Sequence, residues 1–159
     1  MNYFELFDIP VSLQVDKNTL AKKYFELQKQ FHPDFFTQAT EHEQSEALEK
    51  SSQINKALKV LKNENETIKY VLQLKGLLEE EEKYQLPPEF LMEVMELNEE
   101  LSANSQQQIN DFETEIYEPV KNIIENFSAE STSTEELLKV KEYYYKKKYL
   151  QRILDRIDG

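Results

Sequence analysis

Leu20, Tyr24, Leu27 and Phe31 recur at spacings of four, three and four, and His32-Pro33 follows at once. Apolar residues at that period line one buried face of a helix. Pro33 has no backbone donor and pushes His32 out of the helical region, so the helix must stop near Phe31. From about Glu43 a second stripe begins with Ala47, Leu48, Ile54, Ala57, Leu58 and Leu61. Two long amphipathic helices in succession bury their stripes by packing antiparallel on each other. His32-Pro33-Asp34 then lies in the loop between them, held rigidly by both.

Shorter elements flank this hairpin. Tyr3-Phe4-Glu5-Leu6-Phe7 predicts an apolar helical turn closed by Pro10, and Asp16 can cap the helix opening at Lys17. A further short helix from about Glu66 presents Tyr70, Val71 and Leu74. Next come Gly76, the acidic run from Glu79 to Glu82 and Pro87-Pro88, a succession that reads as a connector between two helical units. Beyond it, Pro88 suits a first helical position, and Leu91, Val94, Met95, Asn98 and Leu101 keep helical period. Ile109, Phe112, Ile116, Ile123 and Phe127 form the next stripe, with a kink or break expected at Pro119. After a polar stretch, Thr134, Glu135 and Glu136 mark a helix start, and Val140, Tyr143, Leu150, Leu154 and Ile157 share a face. The expected fold is all-α, with residues 1–75 as an N-terminal unit, 76–87 as connector and 88–159 as a three-helix antiparallel bundle.

Charge separates the two halves. Residues 1–75 carry 10 Lys against 11 acids, whereas residues 76–159 carry 9 basic against 20 acidic residues, for a net −12 overall. Such a chain lacks the basic footprint that nucleic acid or an anionic membrane requires. Tyr143-Tyr144-Tyr145 beside Lys146-Lys147-Lys148 resembles a base-stacking platform, but the acidity of this half argues instead for tyrosines packed inward and lysines offsetting acidic neighbours. Zero Cys removes disulfides and thiolate chemistry, no apolar run is long enough to span a membrane, and the start lacks a signal peptide's features. A cytoplasmic location is expected, and the sequons at Asn65 and Asn126 are then without consequence.

No catalytic constellation is present. There is no His-Glu-x-x-His, two Gly cannot build a phosphate-cradling loop, and no serine–histidine–carboxylate set stands out. Glu41, His42 and Glu43 make at most an adventitious metal contact. Neither catalytic residues nor a resident metal or cofactor are expected. Asn55, within a mostly apolar helix, is expected to hydrogen-bond the loop or a neighbouring helix, because a buried polar group needs partners.

The His32-Pro33-Asp34 tripeptide in an interhelical loop, preceded by Tyr3-Phe4-Glu5-Leu6-Phe7 and followed by Ile54-Asn55-Lys56-Ala57-Leu58-Lys59-Val60-Leu61, resembles the J-domain of co-chaperones. Tyr70-Val71-Leu72-Gln73-Leu74-Lys75-Gly76 and Phe90-Leu91-Met92-Glu93-Val94-Met95-Glu96-Leu97-Asn98-Glu99-Glu100-Leu101 narrow the resemblance to the HscB family, the J-proteins of iron–sulfur cluster assembly, over nearly the full length.

What the resemblance implies is a two-domain adaptor that is not itself an enzyme. Its J-domain engages a heat-shock chaperone similar to HscA and stimulates ATP hydrolysis by that chaperone. Its bundle holds a cluster scaffold similar to IscU. Chaperone contact falls on His32, Pro33 and Asp34 and on a basic patch of Lys22, Lys23 and Lys29, with Lys23 and Lys29 as the preferred pair. Glu26 shares the stripe of Lys22 and Lys29, so a merely solvated helix face is the competing reading. Scaffold contact falls on Leu91, Met92, Met95, Glu96, Glu99 and Tyr149. Leu91 and Met95 fit the core stripe equally well, whereas Met92 falls off it, and an adaptable thioether suits a partner surface.

Several positions depart from the family pattern. Phe35 stands where many J-domains carry Lys, Thr67 replaces the arginine of an Arg-Ala-x-Tyr segment, and Ala103 stands where an acidic contact residue is expected. The cysteine-bearing N-terminal extension of some eukaryotic members is absent, which favours a bacterial-type protein. Two other readings remain at this level: a J-protein with an unrelated client, and a structural helical protein whose tripeptide is accidental. Monomer and weak dimer are both open, since an exposed methionine patch can self-associate.

Overall fold

Four of the long helices begin at a side chain that replaces a missing backbone partner. The Asp16 carboxylate accepts from the Thr19 hydroxyl and backbone N–H, at 2.7 and 3.1 Å, and these bonds hold its pKa below the ordinary value. Thr40 Oγ1 accepts from Glu43 N–H, and Asn63 Oδ1 from Glu66 N–H. Ser133 and Glu136 form a reciprocal capping box, each side chain accepting from the other's backbone N–H.

In the computed structural model, which describes residues 1–99 and 105–158 without the side chains at 105, 154, 157 and 158, the resulting elements are all helical. In order they are α1 (Tyr3–Leu6), α2 (Lys17–Phe31), a 3-10 turn (Pro33–Phe36), α3 (Glu41–Leu61), α4 (Glu64–Leu74), α5 (Pro88–Glu99), α6 (Ser105–Tyr117), a 3-10 turn (Glu118–Val120), α7 (Lys121–Glu125) and α8 (Thr134–Asp158). The expected all-α class is found, and no helix among the described residues is long and apolar enough to cross a membrane. Leu101 and Ala103 lie outside the described residues, as do the side chains of Leu154 and Ile157.

The chain divides into two compact units, Met1–Val71 and Leu72–Gly159. In the first, α3 packs on α2 and on α1. Lys17 Nζ donates to Lys62 O at 3.0 Å, Tyr24 Oη to Asn55 Oδ1 at 3.0 Å, and Lys50 lies over the Phe31 ring. Rising numbers on α2 meet falling numbers on α3, which makes the pair antiparallel as expected. The inner stripe of α3 is Ala47, Ser51, Ile54, Ala57 and Leu61, all buried. Small residues at 47 and 51 let the two backbones approach. On α2, Leu20 is fully buried, while Tyr24, Leu27 and Phe31 are only half-buried. Towards the loop only the small side chains of Ala47 and Ser51 are buried, and the larger Tyr24, Leu27 and Phe31 opposite them stay partly open. Leu48, expected in the core, is exposed, one residue and so about 100° around the helix from buried Ala47.

Helix α4 ends in a Schellman motif. Gly76, at φ 71°, sends its N–H to Gln73 O, and Leu77 N–H reaches Leu72 O. In the second unit α6 packs on α5 and α8, and α7 on α8. Phe90, Val94, Ile109, Leu150 and Ile153 form one buried cluster. The break at Pro119 is complete, because the 3-10 turn at Glu118–Val120 winds three residues per turn and shifts the helical phase. Val120 and Ile124 are buried as a result, whereas Ile123 and Phe127, expected on that stripe, are half-buried.

Ile54 is fully enclosed beneath α2, so Ile54→Ala removes buried methylenes and leaves a cavity. The expected loss is about 2–5 kcal/mol, measured as a lowered urea midpoint. A loss below about 1 kcal/mol would contradict this packing.

Candidate functional site

His32 is the hinge of the first surface. Its N–H makes the last α2 hydrogen bond to Gln28 O, and its backbone then turns extended, at φ −63° and ψ 131°, as the proline demands. The imidazole Nδ1 accepts from Asp34 N–H at 3.2 Å and lies 3.6 Å from the Asp34 carboxylate. Accepting at Nδ1 places the neutral ring's proton on Nε2. Asp34 is exposed, and Phe35 packs edge-on to the imidazole at 6.1 Å between centroids. Gln44 Nε2 donates to Phe36 O, Thr37 O and Ala39 O, tying the loop's far side to α3. The tripeptide is therefore presented by backbone that both helices restrain.

Lys22 and Lys29 are exposed on α2 at helical spacing with His32, and exposed Phe25 sits between them. Lys23 differs from its expectation. Its side chain turns off that face and is half-buried, with Nζ 3.6 Å from Asp8 Oδ2, because one residue rotates the side chain by about 100° around the helix. Phe25 and Gln44 were not singled out by sequence patterning: an aromatic at helical spacing reads as core, and Gln44 acts through backbone carbonyls. Asn55 does bridge helices, accepting from Tyr24 Oη and Gln28 Nε2, but from an exposed position. Buried Thr67, which departs from the arginine of the family pattern, donates to Asn63 O at 2.8 Å and Val60 O at 3.0 Å and so closes the turn between α3 and α4.

The second surface lies on α5. Phe90 and Val94 are buried and Leu91 and Leu97 pack beside them, so of the expected stripe Leu91 and Val94 meet the core while Met95 and Asn98 are exposed. Met92, Met95, Glu96 and Glu99 all point outward, Met92 63% and Met95 58% exposed. Leu91 sits at the boundary, half-buried against the core. Tyr149 on α8 is also half-buried, edge-on to Phe90 at 6.2 Å. The sequence-named positions on α5 thus form an apolar patch with a carboxylate rim.

Residues 78–86 brace this region. Leu78 is buried, Glu82 meets Lys141 of α8 at 2.7 Å, and Tyr84 stacks on Tyr145 with centroids 4.5 Å apart. Burial, together with the nearby charge of Glu82, pushes the Tyr145 phenol up to about 12. Tyr143 and Tyr144 are buried, Lys146 lies over the Phe90 ring and pairs with Glu142, and Lys147 lies over the Tyr143 ring. Tyr143 and Tyr144 pack inward as expected, whereas Lys146 pairs within its own helix and Lys147 lies over a ring instead of offsetting acids on adjacent helices. His42 pairs with Glu46 at 2.9 Å, and no metal-binding group of three side chains forms among the described residues.

Two family models match the chain, one to each unit. Residues 2–70 match the DnaJ domain family, and residues 86–158 match the family described as HSCB C-terminal oligomerisation domain. A protein of Vibrio campbellii named co-chaperone protein HscB homolog is 39% identical over 122 residues, covering 73% of this chain and 71% of that one. The chain belongs to the HscB family. A homolog named alike from Vibrio cholerae strain M66-2 is 41% identical over 104 residues, and the match spans only 61% of its length. Among solved structures, chaperone HscB from Vibrio cholerae has 30% identity and a TM-score of 0.62, with 99% of both chains covered. The human co-chaperone protein HscB has 28% identity and a TM-score of 0.81, with 99% of this chain and 81% of the human one covered. Phe35, which follows the tripeptide inside the J-domain match, has an exposed ring.

The brace has a pH signature. The hydrogen bond from Lys141 holds the Glu82 carboxyl below its ordinary 4.5, so the pair stabilises the fold above that value and ceases to do so as pH falls through the lower folded value. Glu82→Gln is expected to cost about 1 kcal/mol at pH 7, with the urea midpoints of the two proteins converging as pH drops below 4.5. A gap that persists undiminished in acid would contradict the ion pair.

Proposed function

We propose that this chain is an adaptor co-chaperone that presents an iron–sulfur cluster scaffold similar to IscU to a chaperone similar to HscA and accelerates that chaperone's ATP hydrolysis. The observation that carries the proposal is the restraint on His32-Pro33-Asp34, whose polar groups are exposed while their backbone is fixed from both helices. Little ordering entropy is then lost when a partner engages them. Stimulation requires that the contact favour the hydrolysis-competent state of the chaperone over its resting state. Exposed Lys22 and Lys29 extend the contact to an acidic chaperone surface, with Lys23 supporting the helix through Asp8. The bond cleavage belongs to the chaperone, and this chain supplies no catalytic group.

The scaffold is held by Met92, Met95 and Leu91, with Glu96 and Glu99 as charged rim and Tyr149 at the edge. Two exposed methionines on one helix face form an adaptable apolar patch, and such patches mark partner sites. Residues 1–75 are the chaperone-binding part, 88–159 the scaffold-binding bundle, and 76–87 join them. We place this activity in the cytoplasm.

His32→Gln is expected to leave helicity unchanged and to remove stimulation of the chaperone's ATP hydrolysis. Undiminished stimulation would overturn the chaperone-binding assignment. Leu91→Ala combined with Met92→Ala is expected to weaken scaffold binding by about 10–100-fold in titration calorimetry, as loss of central apolar anchors does. Wild-type affinity would place the client surface elsewhere.

A further inference from the structure

The second unit carries a basic groove within an otherwise acidic sequence, next to the face assigned to the scaffold. Its volume is about 590 Å³, and it runs between residues 82–86 and the later part of α8. Tyr145, Lys148, Tyr149 and Arg152 line it at spacings of three and four, which places them on one helix face. Leu86 and Leu91 complete the apolar wall.

The charge balance in this groove is opposite to that of its surroundings. Residues 76–159 hold 20 acids against 9 bases, yet Lys83, Lys148 and Arg152 converge here. None of the three forms an ion pair among the described residues. Glu82, the acid that lines the groove, is already engaged by Lys141 at 2.7 Å. On the other side of Leu91, the exposed face of α5 ends in the carboxylates of Glu96 and Glu99. The surface therefore reads carboxylate, then apolar patch, then cation. A partner laid across it meets opposite charge requirements at its two ends, an arrangement that fixes orientation and rejects the reversed pose.

We infer that Lys148 and Arg152 are specificity-determining residues that receive an acidic side chain of the same client protein that covers Leu91 and Met92. This rests on the scaffold-binding reading of α5. A carboxylate borne on an aliphatic stem matches both features of the groove, with the stem on Tyr149 and Leu91 and the charge at the guanidinium, whose planar fork takes a carboxylate in two parallel hydrogen bonds. A polyphosphate or nucleic acid fits less well, because the acidic remainder of the unit repels an extended polyanion.

The test titrates the cognate cluster scaffold, without cluster, into the full chain at 50 and 300 mM salt. The variants are Lys148→Glu/Arg152→Glu, the charge-conserving Lys148→Arg and the anchor variant Leu91→Ala/Met92→Ala. Lys148 and Arg152 are exposed, so native circular dichroism is expected throughout. Charge reversal should weaken binding at least 10-fold at low salt and less at high salt, while Lys148→Arg keeps wild-type affinity. Unchanged affinity after charge reversal, with the anchor variant impaired, overturns the inference and leaves the scaffold reading standing. Unchanged affinity in both overturns both. If charge reversal instead changes self-association in sedimentation equilibrium and leaves scaffold binding intact, the occupant is a second copy of this chain and the inference fails.

Discussion

The antiparallel packing of α2 on α3 is the constraint on which the first unit depends. Leu20 and the Ala47, Ser51, Ile54, Ala57 and Leu61 stripe supply the apolar contact, and the Lys17–Lys62, Tyr24–Asn55 and Phe31–Lys50 contacts set its register. With the register set, the ends of the two helices lie a fixed distance apart. The proline, the Nδ1 contact of His32 and the three carbonyl bonds of Gln44 then leave the connecting turn little freedom. The turn between the helices is therefore polar, exposed at Asp34 and restrained from both sides.

The second unit solves a different problem. It buries an apolar core while leaving two methionines exposed and a leucine at the edge of the core. Helix α5 does this by turning Phe90, Val94 and Leu97 inward and the opposite face outward. Residues 78–86 hold against α8 through Leu78, the Glu82–Lys141 pair and the Tyr84–Tyr145 stack, so the wall beside α5 is built from chain that lies outside the three helices. Charge also divides the labour. The first half is near-neutral, whereas the acidic second half brings three of its nine cations, Lys83, Lys148 and Arg152, to one groove.

Much of this was legible in the amino-acid order because the signals were local. Asp16, Pro33, Pro88 and Pro119 each act on the backbone within a few residues, and each does what its chemistry predicts. Side-chain direction was less legible where it depends on neighbours. Periodicity marks Leu48 and Met95 as core, but whether a stripe is covered depends on how many helices lie over it, and neither residue is covered. The inward residues after Pro119 were misjudged because a 3-10 turn shifts the phase without changing composition. The resemblance to J-domains places Lys23 in one basic patch with Lys22 and Lys29, but adjacent helix positions face different directions and Lys23 meets Asp8 instead. The groove at Lys148 and Arg152 was hidden because the run at 146–148 reads as one cluster, while the fold sends Lys146 and Lys147 over rings of the bundle and leaves Lys148 outside.

Whether one chain joins two partners is decided by steady-state ATP hydrolysis by the cognate chaperone with this protein alone, with the scaffold alone and with both. The pair is expected to stimulate more than the sum of its separate effects. Additive stimulation, with the scaffold contributing nothing through this chain, would contradict it.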